Sequence, residues 1–253
     1  MTAQPTKLAY RLAALASIDL SRIGSGGEIK ARDVAALLPV PEKAVAPASL
    51  PVPAEALPTT YSQRLSTSKR EVPHFYQTVS VKLDALFAFA DSFGAERPSL
   101  VEIVLMATAR LLRRTPLLNA AWRDDAMLLY DRVDILLAKG GSVALIADAD
   151  RKGLRAIAES IDSGEGGSGT FVIADFSESG MSKVSAIVDP LHAGVLAIAT
   201  PQHEVALREG VLVAERICHL TLSADHRAID GSTAAEFLFE LKSMLEDPLK
   251  LML

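Results

Sequence analysis

Apolar strand-like runs that alternate with buried-type helices predict an α/β domain, and a Pro/Ala-rich stretch predicts a small helical module ahead of it. Three observations carry this. Val211 to Ser223 is a long strand-forming run, and it leads into the polar corner Ala224-Asp-His-Arg-Ala-Ile-Asp-Gly-Ser232. Ser99 opens a helix that runs to Arg114 and stops before Pro116; its apolar positions nearly encircle it, as a helix packed between layers requires. Residues 39–58 contain Pro41, Pro47, Pro51 and Pro53, a composition that favours an extended spacer over a packed element.

Composition sets outer bounds. With 253 residues, 49% of them hydrophobic, the chain can bury a full core and add a small module. A net charge of -5 supplies no basic field, which disfavours nucleic acid or an anionic membrane as a partner. No run resembles a secretory signal or is long enough to span a bilayer, so the expected compartment is the cytoplasm. The single cysteine, Cys218, suits strand packing in a reducing interior. Five histidines without ligand spacing suggest no metal site.

In chain order, Leu8, Leu12 and Leu15 recur at helical spacing, and Ile29, Val34, Leu37 and Leu38 form a second short apolar pattern after a glycine loop. We divide the chain into a two-helix module (1–38), a linker (39–58) and a larger domain (59–253). Val72 to Val81 reads as a helix exit into an alternating strand; its His74 suits a hydrogen-bonded packing role. Ser99 and Glu102 have capping-box spacing. Val133 to Leu137 and Ser142 to Ala147 predict two strands, with a helix following from Asp148 through Ser160. Val184 to Ala199 predicts a loop, with His192 as a hydrogen-bonder in it, and then a buried strand. Thr233 and Glu236 have capping-box spacing ahead of a closing helix whose Phe237, Leu241, Met244 and Leu245 share one face.

The chemistry concentrates at residues 225–231. Histidine is the side chain with an ordinary pKa nearest neutrality, so a positioned neutral imidazole can accept a proton from a thiol or hydroxyl. His226 is the candidate base. Asp225 would point away from it, Asp230 lies beyond the bend and could return to support the site, and Gly231 would supply the freedom to turn.

Asp225-His-Arg-Ala-Ile-Asp-Gly231 resembles the DHRxxDG signature of the dihydrolipoamide acyltransferases of 2-oxoacid dehydrogenase complexes. The resemblance extends to Pro73-His-Phe-Tyr76, to Pro116-Leu-Leu-Asn-Ala-Ala-Trp122 and to Gly169-Thr-Phe-Val-Ile-Ala-Asp-Phe176. It implies a two-layer sandwich of mixed sheet and helices like that of chloramphenicol acetyltransferase. It also implies His226 as base and Asp230 as the ordering acid. Arg227 and Arg64 are the candidates for the ion-pair partner of that acid. The module at 1–38 resembles the family's peripheral subunit-binding domain, through Arg11-Leu-Ala, Asp19-Leu-Ser and Ala31-Arg-Asp-Val34.

Departures matter as much. Ala174 stands where the resemblance implies an oxyanion-stabilising hydroxyl, and Ser177, Ser179 or a backbone amide could replace it. Glu28 stands where the family offers a basic residue to partner enzymes, the glycine loop is short, and so are the segments after Leu137 and from Ala156 to Thr170. No lipoyl module is expected; Lys139 and Lys183 lack its hairpin context. Three readings stay open. One is a CoA-dependent enzyme that transfers an acyl group, acetyl from acetyl-CoA being the expected case, to a small-molecule or carrier-bound hydroxyl acceptor. Such an enzyme would resemble tetronate-pathway acetyltransferases of natural-product biosynthesis and work as a monomer or homotrimer. The second is a dehydrogenase-complex core subunit served by a separate lipoyl protein, and the third is a non-catalytic docking scaffold.

Overall fold

The computed structural model describes residues 59–164 and 166–252, with residues 4–6, 9, 10, 13, 14, 18–23, 27–29 and 34 of the N-terminal part. The chain divides into two compact units, Met1–Glu55 and Ala56–Leu253. In the first, Ala9, Ala13, Ile29 and Val34 are buried together, with Ile18, Leu20 and Ile23 packed on them. Asp19 caps the short turn Leu20–Arg22 by accepting the Ser21 amide at 2.9 Å. Glu28 is exposed. Leu8, Leu12, Leu15, Leu37, Leu38 and the whole linker at 39–58 lie outside the described residues.

The second unit is α/β. Its helices are α1 (Thr59–Glu71), α2 (Asp84–Asp91), α3 (Leu100–Arg114), α4 (Leu154–Ser163) and α5 (Gly231–Glu246). The strands are β1 (His74–Lys82), β2 (Ala120–Arg123), β3 (Ala126–Leu129), β4 (Ile135–Lys139), β5 (Ser142–Ile146), β6 (Phe171–Asp175), β7 (Gly194–Ile198), β8 (Gln202–Arg208) and β9 (Val211–Asp225). A seven-stranded sheet runs β1-β9-β7-β6-β4-β5, with β8 pairing β9 off this path. β4, β6 and β7 are parallel and the other pairs antiparallel, so the sheet is mixed, as expected. β2 and β3 form a separate two-stranded sheet.

The helix α3 has the predicted capping box: Ser99 accepts the Glu102 amide, and the Glu102 carboxylate accepts the Ser99 amide. It buries Val101, all of Ile103 to Ala109, Leu111 and Leu112, which accounts for a helix apolar nearly all round. Two boundaries and one glycine differ from expectation. The helix expected from Asp148 begins only at Leu154, because Asp148 sits in the left-handed region with φ 47 and donates its amide to Asp134 at 2.7 Å. The closing helix is capped by Asp230, three residues before Thr233, since the Asp230 carboxylate accepts the Thr233 amide. Gly231 is the first residue of that helix and is not among the positive-φ glycines; its carbonyl accepts Gln77 Nε2 at 2.9 Å, so it fixes the corner instead of flexing it.

One long strand organises the rest. β9 pairs with β1 on one side and β7 on the other, and residues 217–225 are buried. Its outer half forms a hairpin with β8 through Glu209 and Gly210, both at positive φ, the geometry of a tight hairpin turn. Arg208 grips Glu215 there by two hydrogen bonds of 2.7 and 2.8 Å, which holds the Glu215 carboxyl down at about 2. That stabilisation is present above the ordinary carboxylate range and fades as pH falls toward about 2.

Candidate functional site

The corner at the end of β9 is built from backbone first. Asp225 pairs with His74 across the sheet, its amide donates to Ala193 O at 2.9 Å, and its own carbonyl accepts the amides of Ala228 and Ile229. That turn ejects His226 from the sheet. The His226 amide donates to Pro73 O at 3.0 Å, and its ring leans on Phe75 with centroids 4.7 Å apart and planes tilted by 48°. No hydrogen bond to either ring nitrogen occurs among the described residues, so both stay available on an exposed side chain.

Asp225 and Arg227 clasp each other around this histidine. The Asp225 carboxylate, almost wholly buried, accepts the Arg227 amide and Nε at 3.0 Å and Nη2 at 2.7 Å. The hydrogen bond to Asp225 raises the already high pKa of the guanidinium, which also lies over the Trp122 ring at 5.8 Å. The expectation that Arg227 or Arg64 partners Asp230 is therefore corrected: Arg64 binds Asp189 at 2.8 Å. Asp230 instead accepts Thr233 N at 2.7 Å and Ser232 Oγ at 2.9 Å as a helix cap. The Thr233 amide leads in depressing its pKa, so its stabilisation holds above the ordinary carboxylate range and is lost as pH falls through the lowered value. We expect Asp230→Asn to weaken the acid dependence of thermal stability, measured by melting between about pH 6 and 3.

Ala174 is on the opposite flank of the site. On β6 it packs with Val188, Val195 and Ala197, and its register runs Ala138, Ala174, Ala197, Thr221 across the sheet. His226 lies two strands over and five residues past Thr221, roughly 15 to 20 Å away at ideal strand spacings. A single chain does not bring the two together. Ala174 also lines a cavity of about 840 Å³ with Tyr61, Val143 and Phe176. The Ser177 amide is already committed to Asp175 at 2.8 Å, whereas its hydroxyl has no partner among the described residues; Ser179 bonds Phe176 O. Lys139, at the cavity rim, pairs with Glu178 at 3.0 Å and Asp175 at 3.5 Å, and the Glu178 hydrogen bond raises its pKa. Lys183 is exposed.

The remaining candidates have structural roles. His74 donates from Nδ1 to Val72 O and accepts the Val188 amide at Nε2. His192 is buried with Nε2 on Gly169 O, and burial lowers its pKa. Cys218 is buried with its thiol directed at Ala199 O, and burial pushes it up to about 12. Because the thiolate is the reactive form, we expect no alkylation by iodoacetamide of the native protein at neutral pH and full alkylation after denaturation, read by mass spectrometry. Among the described residues no three His, Cys, Asp or Glu side chains converge as a metal site, and no described helix is long and apolar enough to cross a membrane. Sequence reasoning missed Phe75, Gln77 and the Asp225–Arg227 clasp. The first two sit within the strand already read, two residues apart.

Residues 48–253 match the family model of the 2-oxoacid dehydrogenases acyltransferase (catalytic domain). The dihydrolipoyllysine-residue acetyltransferase component of the pyruvate dehydrogenase complex of Rhizobium meliloti is 31% identical over 224 residues, covering 78% of this chain and 50% of the relative. The mitochondrial component of Schizosaccharomyces pombe is 33% identical over 296 residues, covering 97% and 61%. The chain thus spans between half and three fifths of the length of these relatives. Among solved structures, the Azotobacter vinelandii dihydrolipoamide acetyltransferase superposes with a TM-score of 0.70 at 24% identity, covering 76% of this chain and 89% of that one. That structure was determined to investigate a serine, a histidine and an asparagine in the catalytic mechanism. Chloramphenicol acetyltransferase shares the fold at a TM-score of 0.51 and 14% identity, covering 73% and 94%. The chain belongs to the 2-oxoacid dehydrogenase acyltransferase family and contains its catalytic domain.

Proposed function

We propose that this protein is a CoA-dependent acyltransferase that moves an acyl group, with acetyl the expected case, from a CoA thioester to a small hydroxyl acceptor. The observation that carries the reading is the combination of a retained base with a lost hydroxyl. The serine, histidine and asparagine studied in the Azotobacter enzyme are spaced in sequence as Ala174, His226 and Asp230 are here. His226 stands exposed with both ring nitrogens free of hydrogen bonds to the described residues, which suits a proton acceptor. In the proposed step the neutral imidazole takes the acceptor's hydroxyl proton, the alkoxide oxygen bonds to the thioester carbonyl carbon, and a tetrahedral oxyanion forms. The carbon–sulfur bond then breaks, and the leaving thiolate recovers the proton from the imidazolium. Asp230 holds the helix start behind the base, and Arg227 holds the turn through Asp225.

The separation of Ala174 from His226 within one chain favours a homo-oligomer, in which the cavity at Ala174 of one copy faces His226 of another. The resemblance implies a trimer. Ala174 offers no hydroxyl to the oxyanion, so we expect Ala174→Ser to raise turnover by about tenfold, a fraction of the hundred- to thousandfold that a fully aligned donor supplies. Steady-state kinetics with acetyl-CoA and a panel of hydroxyl acceptors test it. The second reading, a core subunit of a dehydrogenase complex, is favoured by the names of the relatives. Light scattering together with a dihydrolipoamide assay separates the two: a particle of many trimers that acetylates dihydrolipoamide and no hydroxyl acceptor selects the second. The exposed acidic Glu28 leads us to expect weak or absent binding of dehydrogenase-complex enzymes by the N-terminal module.

A further inference from the structure

A cleft of about 690 Å³ opens between the C-terminal end of α3 and the C-terminal part of α5. It lies at the far end of α5 from the corner of His226, roughly 18 Å along the helix from Gly231. Its wall carries Arg110, Arg113, Arg114 and Lys250 against two carboxylates, Asp150 and Glu240. Asp247 stands 3.6 Å from Lys250 and brings the count to four cations and three anions. In a protein with a net charge of -5 this is a local reversal of sign.

The arginines are under-used where they stand. Arg110 donates to Leu251 O, Arg113 to Asp131 O at 2.7 Å, and Arg114 lies 3.2 Å from the Glu240 carboxylate. Arg113 Nε is 3.9 Å from Asp150, an ion pair without a hydrogen bond. Arg114 also reaches Met244 Sδ at 4.0 Å, and Lys250 donates to Ser243 Oγ at 2.8 Å. Each guanidinium carries five N–H donors in a planar fork, so most of the arginine donors in the cleft have no acceptor among the described residues. Three like charges at positions i, i+3 and i+4 of one helix also repel one another, a cost that a bound anion would reverse. The fork geometry matches phosphate oxygens in bidentate fashion, and the volume lies in the range of small-molecule sites and exceeds what one phosphate fills.

We propose that this cleft binds a diphosphate-bearing small molecule, with Arg113 and Arg114 as its principal contacts. The site is separate from the acyl-transfer corner and does not depend on the activity proposed for it. Titration calorimetry with inorganic pyrophosphate at fixed ionic strength tests it on the full chain. Saturable binding should weaken by about tenfold in Arg113→Gln/Arg114→Gln, the loss expected when two charge-assisted contacts go, and should be unchanged in His226→Ala. Lys250→Gln provides a second, milder variant should the double change disturb folding. Binding of ADP as tight as pyrophosphate assigns recognition to the diphosphate alone, and tighter ADP binding adds a base contact; both support the site. No saturable binding, equal binding by wild type and both variants, or equal competition by sulfate would overturn the proposal. So would saturation by an acidic peptide but not by pyrophosphate, which would make the cleft a protein-docking surface.

Discussion

His226→Ala should lower acyl-transfer turnover by about a hundred- to ten-thousandfold, the contribution of a positioned general base, while leaving the melting temperature within a degree or two. The side chain is exposed and leans on the Phe75 ring, and the hydrogen bond that the residue's backbone N–H donates to Pro73 O is one that alanine keeps. Little stability is therefore at stake, and the two readouts separate cleanly. Retained turnover with any competent acceptor would remove His226 as the base. A large drop in melting temperature would mean that the ring holds the corner together, contrary to the contacts described.

Arg227→Met should behave in the opposite way, with a loss of stability on the order of 3 kcal/mol and a fall in turnover as a consequence. Asp225 is almost wholly buried, and among the described residues every hydrogen bond its carboxylate accepts comes from Arg227. Methionine leaves one backbone amide to satisfy that charge, so a buried carboxylate stays largely uncompensated. Arg227→Lys keeps the charge but not the fork, and should recover part of the stability. Chemical denaturation of the three proteins checks this, and the KM for acyl-CoA should change less than turnover. Equal stability of all three would show that the clasp is replaceable by solvent.

Much of the fold was legible because its periodicities were strong. Ser99 and Glu102, the encircled helix after them, and the apolar run into Asp225 all carried signals that tertiary packing then used. The hairpin strand β8 was not legible: Gln202 to Arg208 is mostly exposed and has no buried face to impose an alternation. The Asp148 helix start was misread because its carboxylate, well suited to a cap, lies instead on a left-handed residue ahead of a short 3-10 turn. At the site, the motif singled out His226 and Asp230, but the apolar face after Thr233 placed the helix start three residues late, so the role of Asp230 as its cap was not legible. Nor was the clasp, because alternation turns Asp225 away from His226 but says nothing of the turn that brings Arg227 back onto it.

β9 also determines which changes of chain length the protein can absorb. From residue 217 to 225 it is buried and hydrogen-bonded on both edges, so its two faces are indexed by β1 and β7 together. Deleting or inserting one residue within that stretch would turn Leu220, Leu222 and Ala224 away from the core or else deliver His226 on the wrong side of the sheet. At Glu209 and Gly210, where the hairpin turns in solvent, the same change would be taken up before it reached the paired register. Length variation among relatives should therefore collect at the hairpin tip and vanish along the last nine residues before the histidine.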